Sequence, residues 1–171
     1  MNKLCLLILV FVLAAFSSAK ENVVKDIQAK YNSIAKVCMT DITQAIPRTE
    51  KLLTSDFSWV DTMGAELSRE PYIGSQSRVI ASVAKVFLAK NELLSYKMDG
   101  IYFRCRIKSS LLFRSVGFSK DRHLGVSISD DVWVKTIHGW KMLKSTSIRE
   151  SDTIVRASNS KPTLQPSSLP A

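Results

Sequence analysis

"DDVWVKTIHGWKMLKSTSIRE" (130–150) decides the fold class. Two apolar, alternating segments meet at His138-Gly139 and carry Trp133 and Trp140. Alternation with a period of two sends successive side chains to opposite faces of a sheet, and a Gly-containing dipeptide turns the chain. The stretch therefore predicts a hairpin. Trp133, Lys135, Ile137, Trp140 and Met142 are expected on one side. Val132, Val134, Thr136, Lys141, Leu143 and Ser145 are expected on the other. Asp130-Asp131 read as loop residues ahead of it.

The same pattern recurs upstream. Ile101, Phe103, Cys105 and Ile107 alternate with Tyr102, Arg104, Arg106 and Lys108, just after an Asp99-Gly100 turn signal. Val86–Met98 and Leu124–Ile128 are further apolar, strand-like stretches, the first with a break expected at Lys90-Asn91 and the second preceded by a loop at Ser119–Arg122. The N-terminal half reads differently. Val24, Ile27, Tyr31, Ile34 and Cys38 step by three and four, which predicts an amphipathic helix over 21–39. Asp41 can cap a second short helix, which Pro47 breaks, and 50–54 reads as another helical turn ending at Ser55-Asp56. Phe57, Trp59 and Val60 read as a short strand, and Ser68-Arg69-Glu70-Pro71 as a helix start. Helices first and strands later predict an α+β domain, with the N-terminal helices packed on a curved antiparallel sheet.

Both ends of the chain stand apart. Met1-Asn2-Lys3, the apolar run Leu4–Phe16 and Ser17-Ser18-Ala19 have the layout of a cleavable secretory signal over 1–19. The run is shorter than the roughly 20 residues a membrane span needs, so a secreted or periplasmic product that does not span the membrane after cleavage is expected. The domain then occupies 20–150. The Ser- and Pro-rich end, 151–171, reads as a disordered tail.

The formal charge is +9, from 24 Lys and Arg against 15 Asp and Glu. The cations are spread through helices and strands rather than gathered into an arm. A solvated face is the default reading, attraction to anionic lipids or cell-wall polymers the functional one, and no nucleic-acid partner is expected. Cys38 and Cys105, the cysteines left after cleavage, fall on apolar faces, so two inward thiols are expected rather than a bridge. With two histidines, and no CxxC or HExxH, neither a metal nor a cofactor is expected.

Four stretches together resemble the NTF2-like superfamily, in particular its SnoaL-like members: "IQAKYNSIAKV" (27–37), "LLTSDFSWVDTMGAELSRE" (52–70), "DGIYFRCRI" (99–107) and "DDVWVKTIHGWKMLKSTS" (130–147). Their order and spacing carry the likeness, which covers about residues 21–150. "CMTDITQAIPRTE" (38–50) departs from it, being longer than the usual link. The resemblance implies an NTF2-like (cystatin-like) cone, a strongly bent sheet around the first helix with a pocket at its open end. It also implies a homodimer through the outer sheet face.

Enzymes of that superfamily place a carboxylate, His or Tyr inside the cone, but no motif here transfers such a role. The pocket candidates are Tyr31, Asp56, Trp59, His123, Trp133 and Trp140. Each has a structural counterpart: a core tyrosine, a turn aspartate, a surface histidine, and core or interface tryptophans. The expected function is binding of a small, largely apolar ligand without catalysis. Two alternatives stand beside it: a lyase, isomerase or hydrolase using the same pocket, and a protein-interaction module acting through the outer face.

Overall fold

The computed structural model describes residues 3–117 and 120–156, with side chains from Glu21 onward. Helix α1 (Lys3–Thr40) takes in the amphipathic segment. Its apolar stripe packs inward, with Ile27 fully buried and Tyr31 and Ala35 nearly so. Glu21–Lys25 and Asp26–Lys30 pair one turn apart on its exposed side.

Asp41 caps a short 3-10 turn (Ile42–Gln44), accepting from the Thr43 backbone N–H at 3.1 Å. Helix α2 (Ala45–Glu50) follows, and it contains Pro47 instead of being broken by it. Pro47 is the third helical residue, where a backbone N–H has no intrahelical acceptor to lose. The helical turn expected over 50–54 is not there. Strand β1 (Leu53–Val60) starts at once, because Leu53 and Phe57 are drawn into the core. Then come β2 (Glu66–Ser68), α3 (Arg69–Ala81) and four long strands: β3 (Val83–Asp99), β4 (Tyr102–Ser115), β5 (Arg122–Thr136) and β6 (Gly139–Val155).

The sheet order is β2-β1-β6-β5-β4-β3. Every pairing is antiparallel except β1 with β6, so the sheet is mixed. The break expected in β3 at Lys90-Asn91 is absent. Irregular pairing near Val83, Val86 and Leu93 bends this strand instead. Among the described residues no helix is long and apolar enough to cross a membrane.

The 130–150 hairpin exists, with three corrections. Thr136 pairs with Gly139, so the turn residues are Ile137 and His138, and Ile137 is almost fully exposed. Asp130 and Asp131 are not in a loop; β5 runs straight through them. Ser145 faces inward with Met142, because Leu143 is an extra residue between the pairs Trp133–Met142 and Val132–Lys144. Such a bulge shifts the alternation by one. The tail expected from Ser151 is also corrected: Ser151–Val155 belong to β6. Residues 157–171, together with Phe118 and Ser119, lie outside the described residues.

Candidate functional site

The inner face of the sheet reads as rows of cross-strand partners on β4, β5 and β6. The first row, Phe103–Trp133–Met142, is packed solid against Ile27 and Phe57. The next is Cys105–Asp131–Ser145, and here polar groups enter. Beyond it the rows are Ile107–Ser129–Ser147 and then Ser109–Ser127–Glu150, whose serines leave space over β5 and β6. A cavity of about 350 Å³ opens there. Its walls are mainly apolar: Ile34 of α1, Ile42 and Ile46 of the linking turns, Ile80 of α3, and Ile107 and Leu111 of β4. Tyr72, Gln76 and Asn91 continue into a second lobe of about 430 Å³ towards Phe113.

Tyr31 and Asp131 form the floor. The Tyr31 hydroxyl donates to Asp131 Oδ2 and accepts from Trp133 Nε1 at 3.0 Å. Ser145 Oγ donates to Asp131 Oδ1 at 2.7 Å. The Tyr31 and Trp133 rings meet edge to face, with centroids 5.4 Å apart. Asp131 is only 3% exposed. Burial raises its pKa above the usual aspartate value, while hydrogen bonds from Tyr31, Ser145 and Ser129 oppose the rise. Burial and then the Asp131 charge push the Tyr31 phenol up. Cys105, 3.8 Å from the Tyr31 hydroxyl, is pushed up to about 12, by burial first and Asp131 second. The floor therefore presents a carboxyl that holds its proton more readily than an exposed one, in a buried setting.

The six expected pocket residues separate. Tyr31 lies on the floor and Trp59 on the wall, its indole donating to Ser147 Oγ at 3.2 Å. Trp133 and Trp140 lie below the floor in the core. His123 is at the outer end of the inner face, stacked on Phe113 and 3.2 Å from Asp152. Asp56 is exposed on β1, on neither cavity wall. Asp131 and Ser145 are the functional residues that sequence reasoning missed. Asp131 sits two residues before Trp133, so strand parity alone would have turned it inward.

Cys38 lines the cavity; it and Cys105 are unbridged. Among the described residues no group of three or more His, Cys, Asp or Glu converges on a metal-sized space.

No family model matches the chain, and no curated protein matches it by sequence. Solved structures do match. A scytalone dehydratase-like protein of Novosphingobium aromaticivorans superimposes with a TM-score of 0.66 at 11% identity, over 82% of this chain and 94% of that one. An NTF2-like protein of Cytophaga hutchinsonii gives 0.54 at 12% identity, over 74% and 95%. The fold is NTF2-like. A type 2 hexachlorocyclohexane dehydrochlorinase shares this NTF2-like cone at a TM-score of 0.60 and 10% identity, over 82% of this chain and 91% of that one. Superpositions at identities this low show the fold alone and carry no residue roles with them.

Proposed function

We propose that this is an exported protein that holds a small, largely apolar molecule in its cone without transforming it. The observation that carries the reading is an apolar cavity of about 350 Å³ with one buried carboxyl, Asp131, at its floor. Apolar walls with few, fixed polar groups are what small-molecule sites share. Asp131 already accepts from Tyr31, Ser145 and Ser129, and a remaining lone pair suits a ligand hydroxyl or amine. Export is supported by Lys3, the apolar run Leu4–Phe16 and the small residues Ser17-Ser18-Ala19. Intact mass of the protein recovered from outside the cytoplasm should correspond to a chain starting at Lys20.

Binding is tested by titrating the chain with an environment-sensitive apolar fluorophore. Ser127, which lines both lobes, is the residue to enlarge. Ser127→Trp should abolish the fluorescence gain while a thermal melt shows a folded protein. An unchanged titration would place the probe elsewhere and remove the support.

A second reading, acid–base catalysis in the same cone, is favoured by the raised pKa of Asp131 beside the Tyr31 hydroxyl. The two separate on turnover. Under the binding reading, the bound compound is recovered chemically unchanged after prolonged incubation. Under the catalytic reading it is consumed by the natural chain and spared by Tyr31→Phe.

A further inference from the structure

The outward face of the sheet is the other half of each strand's alternation. Register fixes which residues point there. On β4 they include Arg104, Arg106, Lys108 and Arg114. On β6 they include Lys141, Lys144 and Arg149. Strand β3 adds Lys85, Lys90 and Lys97, and β5 adds Arg122. Against these eleven cations the same face carries five acids, Asp56 on β1, Glu66 on β2 beside Lys144 at 3.6 Å, and Glu92, Asp99 and Asp130, a formal excess of six. The whole chain has an excess of nine. Two thirds of the formal net charge of the protein therefore sits on one side of one sheet.

The arrangement is two-dimensional. One row across the sheet reads Lys97–Arg104–Val132–Lys144, and another Glu92–Lys108–Ile128–Arg149. Neighbouring strands are about 4.8 Å apart, and alternate residues along a strand roughly 7 Å. Down the middle runs an uncharged stripe on β5, Leu124, Val126, Ile128, Val132 and Val134, interrupted by Asp130 and half-buried between its neighbours. Lys97, Arg104 and Arg106 border a shallow depression of about 450 Å³.

We infer that this outer sheet face docks on an anionic lipid surface. A lattice of headgroups can meet cations on all four strands at once. A single-file polyanion or an acidic segment would engage one or two strands and leave the rest solvated. The stripe on β5 suits the boundary between headgroups and acyl chains. A second copy is a poor occupant, because face-to-face pairing opposes like charge to like charge. This departs from the homodimer that the family resemblance implies.

The test is partition of the full chain between buffer and lipid vesicles. Neutral phosphatidylcholine vesicles set the contribution of the apolar segment Leu4–Phe16. Vesicles containing phosphatidylglycerol supply the anionic surface, and the ratio of the two partition coefficients is the readout. Each Lys or Arg near such a surface contributes about fivefold. Lys97→Gln/Lys108→Gln/Arg149→Gln should lower the ratio on the order of 100-fold at low salt. Physiological salt should lower the ratio of the natural chain. A control with the same loss of charge on the helices, Lys25→Gln/Lys36→Gln/Arg78→Gln, should change it far less. Melting curves of both variants establish that they are folded.

A ratio near one for the natural chain overturns the proposal. So does an equal fall in both variants, which would reflect net charge alone. Tighter, face-dependent binding to polyglutamate or duplex DNA than to the vesicles would assign the face to a polyanion. A dimer that the face variant dissociates would assign it to a second copy.

Discussion

Tyr31 directs both hydrogen-bonding capacities of its hydroxyl inward, donating to Asp131 and accepting from Trp133. Tyr31→Phe takes a partner from an indole N–H and from a carboxyl oxygen in a buried site. It should cost about 1–3 kcal/mol, read from urea unfolding. Asp131 gives a pH prediction. Its folded pKa is raised above the ordinary value of 3.8, so the folded state binds the proton more tightly than the unfolded chain. The stabilisation this brings is fully present below about pH 4 and is lost as pH rises through the folded pKa. Compared with Asp131→Asn, which cannot titrate, the natural chain should be favoured most at acidic pH. Its relative stability should fall towards neutral pH, as followed by melts of both proteins. The opposite trend would mean a carboxylate stabilised in its charged form. Sequence reading found Tyr31 from the helical stripe but took Asp130-Asp131 for a loop, because two adjacent acids look like turn chemistry. Parity with Trp133, two residues on, was the signal that turns Asp131 inward, and the hydrogen bonds from Tyr31 and Ser145 show what satisfies it there.

At the level of elements, long β3 ends the sheet and presents an unpaired strand edge. Part of that edge is closed by side chains of α1. Gln28 Nε2 donates to the Asn91 carbonyl at 3.1 Å, and the Leu93 N–H donates to Gln28 Oε1 at 3.3 Å. Asn91 answers by donating to the Tyr31 carbonyl at 2.9 Å. Gln28→Ala should therefore speed hydrogen exchange at the Leu93 amide on the order of tenfold, while amides in the middle of β4 keep their protection. The Leu143 bulge does for β6 what the clamp does for β3, since it holds Ser145 against Asp131. Ser145→Ala should cost roughly 1 kcal/mol, with the fold unchanged by circular dichroism. The helix, the strands and the 130–150 hairpin were legible because their apolar periods are long. The bulge, the one-residue shift of the turn and the extension of β6 to Val155 were not. Each depends on cross-strand partners that local sequence does not reveal.

At the level of the molecule, the bent sheet separates two chemistries. Its concave side carries the floor carboxyl and, further out, Glu150 and Asp152; its convex side carries the basic excess. The net charge was plain in the composition, but its placement needed the register of four strands. The cone was likewise legible as a resemblance, whereas its contents depend on which rows hold small side chains.

The central claim is that the cone holds a small apolar molecule. Its most direct test is native against denaturing mass spectrometry of the protein isolated from its own source. The account predicts a native mass exceeding the chain by one small molecule, released on denaturation and absent from Ser127→Trp. A native mass equal to the bare chain, with no uptake from a panel of apolar compounds, would contradict it.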